Sequence, residues 1–269
     1  MWVRFAYNQW KKKRSDPSIL GHEGVIEVWS ASPMTEDSSI EWVLRVPIII
    51  HSGTHVVKIP DHVNDKIASP VNCAKMLQPW VNAVSGLDGK ILIVTQLLLF
   101  RVVVFWVFMV VHFFMKLASA EFSVQTLISR DWKWFQKFGG IPVVTGEHTS
   151  SGLHGNSVDV IIEVCGVPSV IPEGIKLLRA GGVYVFVGMV HPASKLDITG
   201  EQIIRKCITI KGIHNYGPQH LDEAVAFLSR TCTRYPYNEL FSPTFKLADF
   251  ETALQLSKQQ SFYRVCVEP

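Results

Sequence analysis

Residues 157–190 form a complete β-α-β pattern, which constrains the fold more than any other part of the sequence. Residues 158–164 and 183–187 are apolar, β-branched runs of strand length, as is typical of strands buried on both faces of a parallel sheet. A helix is predicted between them, with Ser169 as its cap and the glycine pair at 181–182 as its end. The apolar face of this helix is formed by residues at helical spacing, namely Ile171, Ile175 and Leu178. The pattern therefore predicts an α/β fold with a parallel sheet.

The carboxyl ends of these two predicted strands both carry glycines, in the pairs Cys165-Gly166 and Gly188-Met189. A β-α-β crossover is right-handed in nearly all proteins, and ligands bind beyond the carboxyl ends of its strands. Glycine lets the backbone approach a ligand closely. A glycine that only ends a strand would give the same local pattern, so both interpretations stay open at this level.

The composition of the 269-residue chain excludes several classes of protein. A hydrophobic content of 48% is enough for one large domain or two ordinary ones, so a disordered chain is excluded. The net charge of +3 is small and no basic stripe alternates with aromatic residues, so we expect no nucleic-acid partner. The five cysteines are dispersed without C-x-x-C spacing, and the N-terminus is not a secretory signal, which together predict a reduced, cytoplasmic compartment.

Other elements are predicted from the same two periodicities, and residues 1–18 show neither of them clearly. The predicted strands lie at 25–28, 43–50, 56–60, 91–94, 141–145, 207–210 and 263–267. The predicted helices lie at 67–74, 221–228 and 250–254, and a further amphipathic helix is predicted within 121–156, from Val124, Leu127 and Ile128 and before the glycines at 139–140. Strands and helices thus alternate over the second half of the chain, which favours a parallel sheet.

Residues 91–115 are an apolar run of bilayer-spanning length whose only formal charge is Arg101. The Leu, Ile, Val and Phe side chains outweigh one central arginine on insertion scales, so membrane insertion is energetically permitted. In the alternative interpretation, residues 91–94 are a buried strand and the rest is an apolar helix packed on or near the domain. The first interpretation predicts a membrane contact through residues 91–115.

His22 and Glu23 form a glycine-flanked pair just before the predicted strand at 25–28. A histidine beside a glutamate can bind a metal or transfer protons. A local contact without function would give the same dipeptide, so the pair alone does not identify a site.

The order of several motifs resembles the zinc-type, medium-chain alcohol dehydrogenase family. The motifs are ILGHEGVIEV at 19–28, GTHVVKIPDHV at 53–63, ASPVNCA at 68–74, and VDVIIEVCG, LLRAGGVYVFVGMV, ITIKGIHNYGPQHL, LADFETAL and YRVCVEP within 157–269. The resemblance implies a doubly wound Rossmann-like sheet joined to a reduced GroES-like β domain. It places the GroES-like remnant at 1–85, the nucleotide-binding domain at 86–216 and a return to the first domain at 217–269.

The resemblance also implies a reaction, cofactors and site residues. The family transfers a hydride between an alcohol and NAD(H) or NADP(H), with zinc as a Lewis acid. The positions that match the zinc site are His22, Glu23 and Cys73, of which His22 and Glu23 also match the catalytic residues. The positions that match the cofactor site are Gly166, Val187, Gly188, Met189 and Arg264. The expected partner is a small alcohol or carbonyl compound of unspecified structure, and a homo-oligomer is left open.

Three departures from the family pattern predict impaired function. No cysteine precedes His22, and residues 24–72 lack the cysteines of a structural zinc lobe. No glycine occurs between Gly89 and Gly139, where the family has its phosphate-binding turn, and an apolar segment occupies 95–118 instead. The chain is thus expected to be a truncated or aberrantly spliced family member. The alternative is a catalytically inactive derivative that associates with a membrane or a partner.

Overall fold

The computed structural model describes the strands within residues 3–49 and then residues 56–71, 91–95, 122–126, 136–144, 153–192, 194–214, 217–259 and 262–268. The chain divides into two compact units by its internal contacts. One unit contains Met1–Met76 and Tyr216–Phe241, and the other contains Leu77–Asn215 and Ser242–Pro269. The three-part domain division expected from the sequence stays a prediction.

The elements are numbered in chain order within these described ranges. The strands are Val3–Ala6 (β1), Val25–Val28 (β2), Ser30–Ser32 (β3), Glu41–Val43 (β4), Ile48–Ile49 (β5), Val57–Lys58 (β6), Ile91–Thr95 (β7), Phe122–Thr126 (β8), Ile141–Val144 (β9), Val158–Glu163 (β10), Leu178–Phe186 (β11), Thr209–Gly212 (β12), Phe241–Lys246 (β13) and Arg264–Glu268 (β14). The helices are Asp65–Ala68 (α1), Val170–Leu177 (α2), Gly200–Lys206 (α3), Gln219–Thr231 (α4) and Phe250–Gln259 (α5). Short 3-10 turns cover Tyr237–Leu240 and Leu247–Asp249.

The second unit is built on a parallel sheet with the strand order β12-β11-β10-β7-β8-β9. Numbered within the sheet, this is the order 3-2-1-4-5-6, which defines the doubly wound nucleotide-binding fold. The chain reverses direction across the sheet between β7 and β10, and ligands of such folds bind at that switch point. The predicted α/β fold with a Rossmann-like sheet is therefore confirmed.

The β10-α2-β11 unit matches the predicted pattern except at one boundary. We expected Leu178 to be helical and the glycines at 181–182 to end the helix, and this was wrong. Helix α2 ends at Leu177, and β11 begins at the next residue. The glycines lie inside β11, where the pairing with β10 shifts from Val158↔Leu178 to Val160↔Val183. The bulge uses the conformational freedom of glycine, since Gly181 has a φ of +73°.

Helix α3 supplies a hydrogen-bond donor to the end of α2. Lys206 Nζ donates to the carbonyl oxygens of Ile175 at 2.5 Å and Leu178 at 2.8 Å. These carbonyls lie at the end of α2, where the helix leaves them without intrahelical partners. A cation near a helix C-terminus is also favourable for the helix dipole. Lys206 therefore stabilises the C-terminus of α2 where it ends, before the glycines.

Two further expectations differ from the structure. The apolar triplet containing Val124 was expected in a helix, but Phe122–Thr126 is strand β8, which pairs with β7 on one side and β9 on the other. Three apolar residues cover only one helical turn, so this periodicity was too short to decide. Residues 1–18 were expected to be irregular, but Val3–Ala6 is a strand that pairs with β2 and β6.

The apolar run at 91–115 begins as the interior strand β7, which pairs with both β10 and β8. Its first residues, Ile91 and Leu92, are fully buried in the sheet. The rest of the run lies outside the described residues. Among the helices that the structure describes, none is long and apolar enough to span a bilayer.

The first unit contains two antiparallel sheets, with the strand orders β2-β1-β6 and β3-β4-β5. Helix α1 is capped by the Asn64 side chain, which accepts from the Lys66 amide at 2.8 Å. Helix α4 buries the residues that its spacing predicted, namely Leu221, Ala224, Val225 and Leu228.

In the second unit, β13 and β14 form a two-stranded sheet, in which the Cys266 amide donates to Ser242 Oγ at 3.1 Å.

Candidate functional site

The candidate site is a cleft at the carboxyl ends of β11 and β12 in the second unit. The cleft has a volume of about 400 Å³. Six of its lining residues are apolar or glycine and one is a histidine: Phe186, Val187, Met189, Val190, Gly212, Ile213 and His214. The amide of Ile213 donates to the Phe186 carbonyl at 3.0 Å, which holds the end of β12 against the end of β11. The volume lies in the usual range of small-molecule sites.

The loops that follow β10 and β11 are in direct backbone contact through two glycines. A Cβ added to Gly188 would lie 2.5 Å from the Gly166 nitrogen and 2.6 Å from the Val164 carbonyl carbon. A Cβ added to Gly166 would lie 2.6 Å from the Gly188 oxygen, and Gly166 has a φ of +71°. Heavy atoms cannot approach this closely without displacement, so both positions require glycine. We call this pair of touching loops the glycine clamp.

Glu163 binds both halves of the glycine clamp. Its Oε1 accepts a hydrogen bond from the Gly166 amide at 2.5 Å. Its backbone carbonyl accepts from the amides of Val187 at 2.9 Å and Gly188 at 3.1 Å. The side chain is fully buried, with 0% of its surface exposed. One residue thus connects β10 to the segment that forms one wall of the cleft.

The electrostatic environment of Glu163 favours its neutral form. Burial raises the pKa of Glu163 from its ordinary value of 4.5, while hydrogen bonds from the Gly166 amide and the Cys165 thiol oppose that rise. Its Oε2 has no hydrogen-bond partner in the described part of the chain. Burial and the nearby carboxyl of Glu163 raise the pKa of Cys165 to about 12, and the same two causes raise the pKa of Tyr184. Carboxyl, thiol and phenol are therefore all stabilised in their uncharged forms.

The cleft can hold a flat, weakly polar group. Phe186, Val187, Met189 and Ile213 provide apolar surface, on which burial of an aromatic ring is favourable. His214 is the titratable side chain among the described lining residues, and it lies at the carboxyl end of β12. Its imidazole nitrogens can donate to or accept from a ligand.

The predicted cofactor residues occupy different places in the second unit. Val187 and Met189 line the cleft, and Gly188 lies between them in the chain. Gly166 contacts Gly188 and is not among the lining residues. Arg264 begins β14, which pairs with β13, and it is not a lining residue either. Their binding to a cofactor stays a prediction.

The predicted metal ligands His22, Glu23 and Cys73 lie outside the described residues. Within the ranges that the structure does describe, no group of three or more His, Cys, Asp or Glu side chains is placed to hold a metal. The zinc site therefore stays a prediction from the sequence motifs.

Sequence reasoning missed Glu163 and the residues contributed by β12. The signal for Glu163 was present, because it is one of only two charges, with Asp159, inside an apolar run that was predicted to be buried on both faces. The signal for His214 was its position after a predicted strand, since parallel strands all place their carboxyl ends at one edge of the sheet.

Comparison with known proteins finds dehydrogenases that are similar to parts of the chain. Residues 137–230 match a family model described as zinc-binding dehydrogenase. Among curated proteins, the chain is 26% identical over 117 residues to a 5-exo-hydroxycamphor dehydrogenase from Pseudomonas putida. That match covers 44% of this chain and 32% of the relative.

Solved structures with this fold are also similar to the chain. An alcohol dehydrogenase from Thermotoga maritima has a TM-score of 0.66 at 19% identity, covering 82% of this chain and 62% of that protein. A Sinorhizobium meliloti 1021 protein, described as a zinc-binding dehydrogenase bound to NADP, has a TM-score of 0.62 at 14% identity, covering 77% and 60%. At these identities the likeness establishes the fold alone. The chain spans 32% of the curated relative and 62% of the Thermotoga maritima protein.

Proposed function

We propose that this chain, which belongs to the zinc-type medium-chain alcohol dehydrogenase family, is an oxidoreductase that transfers hydride between a small alcohol and NAD(P). The nicotinamide ring of the cofactor is assigned to the cleft at the carboxyl ends of β11 and β12. We further propose that cofactor affinity is low in this form, because the sequence has no glycine between Gly89 and Gly139.

One observation carries this proposal: the cleft lies at the carboxyl edge of a parallel sheet in the doubly wound order, on the same edge as the switch point between β7 and β10 at which folds of this kind bind ligands. Its apolar wall, formed by Phe186, Val187, Met189 and Ile213, suits one face of a nicotinamide ring. Water is excluded where this wall is covered, which protects a hydride from reaction with solvent.

The metal assignment rests on the motif match of His22, Glu23 and Cys73. Histidine, cysteine and carboxylate are ligands that zinc accepts in catalytic sites. A bound zinc ion would supply Lewis-acid polarisation of the alcohol oxygen. The substrate itself is proposed only as a small alcohol or carbonyl compound, acted on in the cytoplasm.

Cofactor binding is tested by titrating the purified full chain with NADH and NADPH and following the nicotinamide fluorescence. We expect saturable but weak binding by the wild-type chain. Met189→Trp should raise the Kd by at least about tenfold, because the larger ring fills the cleft. The control is Ile204→Trp, because Ile204 is 76% exposed on α3 and is not a lining residue. Equal loss in both variants, or no binding by the wild-type chain, would contradict the cleft assignment.

Zinc is tested separately by elemental analysis of the purified protein. We expect bound zinc that is lost in His22→Ala and in Cys73→Ala but kept in Cys207→Ala, because Cys207 is an exposed residue after α3. Retention of zinc in both ligand variants would contradict the predicted ligand set.

The alternative is tested by cell fractionation. Recovery of the protein solely in the membrane fraction would favour the catalytically inactive, membrane-associated derivative.

A further inference from the structure

Glu163 is placed so that one residue holds both loops of the glycine clamp. Its side chain binds the Gly166 amide, and its carbonyl binds the amides of Val187 and Gly188. Three backbone N–H groups from two different strand ends therefore depend on one residue of β10. Loss of the side-chain acceptor would leave the partly buried Gly166 amide without this partner, which is unfavourable.

Burying a glutamate carboxyl group at this position is unfavourable unless the hydrogen bonds that it accepts compensate for its lost hydration. Glu163 has no exposed surface, and the neighbouring side chains Ile161 and Phe186 are also buried. An apolar side chain of similar volume would avoid the desolvation of a carboxyl group. The contribution of Glu163 must therefore come from the hydrogen bonds that it accepts, and the side-chain bond goes to the clamp.

The clamp in turn sets the position of the cleft wall. Gly188 is the residue between Val187 and Met189, and both of these line the cleft. Gly188 lies so close to Gly166 and Val164 that even an added Cβ would not fit between them. It cannot move away without breaking the bonds to the Glu163 carbonyl. A displacement of the clamp is thus transmitted directly to Val187 and Met189.

We propose that Glu163 is a positioning residue for the cleft, which holds Gly166 against Gly188 and thereby fixes Val187 and Met189 in the cleft wall. The role in cofactor binding rests on the proposed function above, whereas the effect on the clamp and the cleft wall does not. Glu163 lines no part of the cleft and acts through the backbone of its neighbours.

The test compares Glu163→Leu, which has no acceptor, with Glu163→Gln, which keeps a side-chain oxygen. Amide exchange at Gly166 should accelerate by at least about tenfold in the leucine variant, relative to the Ile162 amide, and should stay near the wild-type rate in the glutamine variant. The Met189 methyl signal, recorded by NMR without cofactor, should shift in the leucine variant alone. Unchanged exchange or an unchanged methyl signal in a folded Glu163→Leu protein would overturn the proposal.

Ile175→Ala is the matched control for lost stability, because Ile175 is buried in α2 and makes no side-chain hydrogen bond. It should destabilise the protein while leaving the Met189 signal unshifted, and an equal shift would overturn a specific role of Glu163. If the leucine variant does not fold, Gly188→Ala opens the clamp from the other side. It should also shift the Met189 signal, and an unshifted signal would contradict the proposal.

NADH affinity provides the link to function. Glu163→Leu should raise the Kd for NADH by about tenfold or more, since small displacements in a binding site weaken productive binding, while Glu163→Gln should stay within about threefold of wild type. Faster Gly166 exchange and a shifted Met189 signal with an unchanged Kd for NADH would overturn the role of Glu163 in cofactor binding. If the wild-type chain binds no NADH, the proposed function fails, but the exchange and methyl measurements still decide the effect of Glu163 on the clamp.

Discussion

Glu163 couples the stability of the fold to pH in a direction that the structure determines. Burial raises the pKa of Glu163 from its ordinary 4.5. Between the unfolded and the folded pKa, the folded protein therefore holds a proton that the unfolded chain has released. The stability contributed by this group is complete below pH 4.5 and is lost as the pH rises through the folded pKa.

We expect the free energy of unfolding of the wild-type protein to fall with rising pH relative to that of Glu163→Gln, which cannot ionise. The difference should change by up to about 1.4 kcal/mol per pH unit within that window. Urea unfolding of the two proteins from the ordinary pKa up to neutral pH would measure it. Cys165 and Tyr184 are also held neutral, but they ionise in the unfolded chain only at alkaline pH and leave this window unaffected. A constant difference across the window would contradict the prediction.

Single residues of the site were predictable only where the motif itself marked them. Val187 and Met189 could be named from the sequence because, with Gly188, they resemble the strand end of the family that faces the cofactor. The contact between Gly166 and Gly188 could not, because it joins residues from two strands and depends on their register. The pattern left open whether these glycines face a ligand or only end strands, and the structure adds a packing reason for both.

Helix α2 depends on a lysine that lies in another element. Lys206 Nζ donates to the carbonyls of Ile175 and Leu178 at the end of α2. Replacing Lys206 by Met keeps the aliphatic stem but removes the donor, so we expect a loss of about 1–2 kcal/mol of unfolding free energy. Lys195→Met is the control, because Lys195 is an exposed residue outside the helices. Thermal and urea unfolding would check both, and equal effects would show that the helix end does not depend on Lys206.

The same element shows why boundaries were harder to predict than the elements themselves. The alternation of a strand, a helix and a strand over 157–190 was predicted correctly from local periodicity. The glycines at 181–182 placed the end of α2 too late, and the lysine that binds the actual end is distant in sequence, so local periodicity could not reveal it. Strand β8 was missed for a related reason, since its pairing with β7 and β9 outweighs a weak helical spacing.

At the scale of the whole molecule, the sheet order agrees with the fold that the motifs implied, although the sequence departs from the family at a central point. β7 lies beside the switch point of the sheet. In doubly wound folds, the turn after this strand approaches the diphosphate of the cofactor and depends on glycines to do so. Here the residues after Thr95 begin QLLLFR, and the next glycine is Gly139.

Replacing residues 96–101 by a turn of the form G-x-G-x-x-G should therefore lower the Kd for NADH by at least about tenfold, because it restores backbone N–H groups at the diphosphate. Fluorescence titration of the grafted and the original chains would measure the change. The control graft carries alanine at each glycine position, and we expect it to keep the original Kd because a Cβ prevents the close approach. An unchanged Kd in the glycine graft would mean that the missing turn does not limit affinity, and the low affinity would then have to originate at the cleft itself.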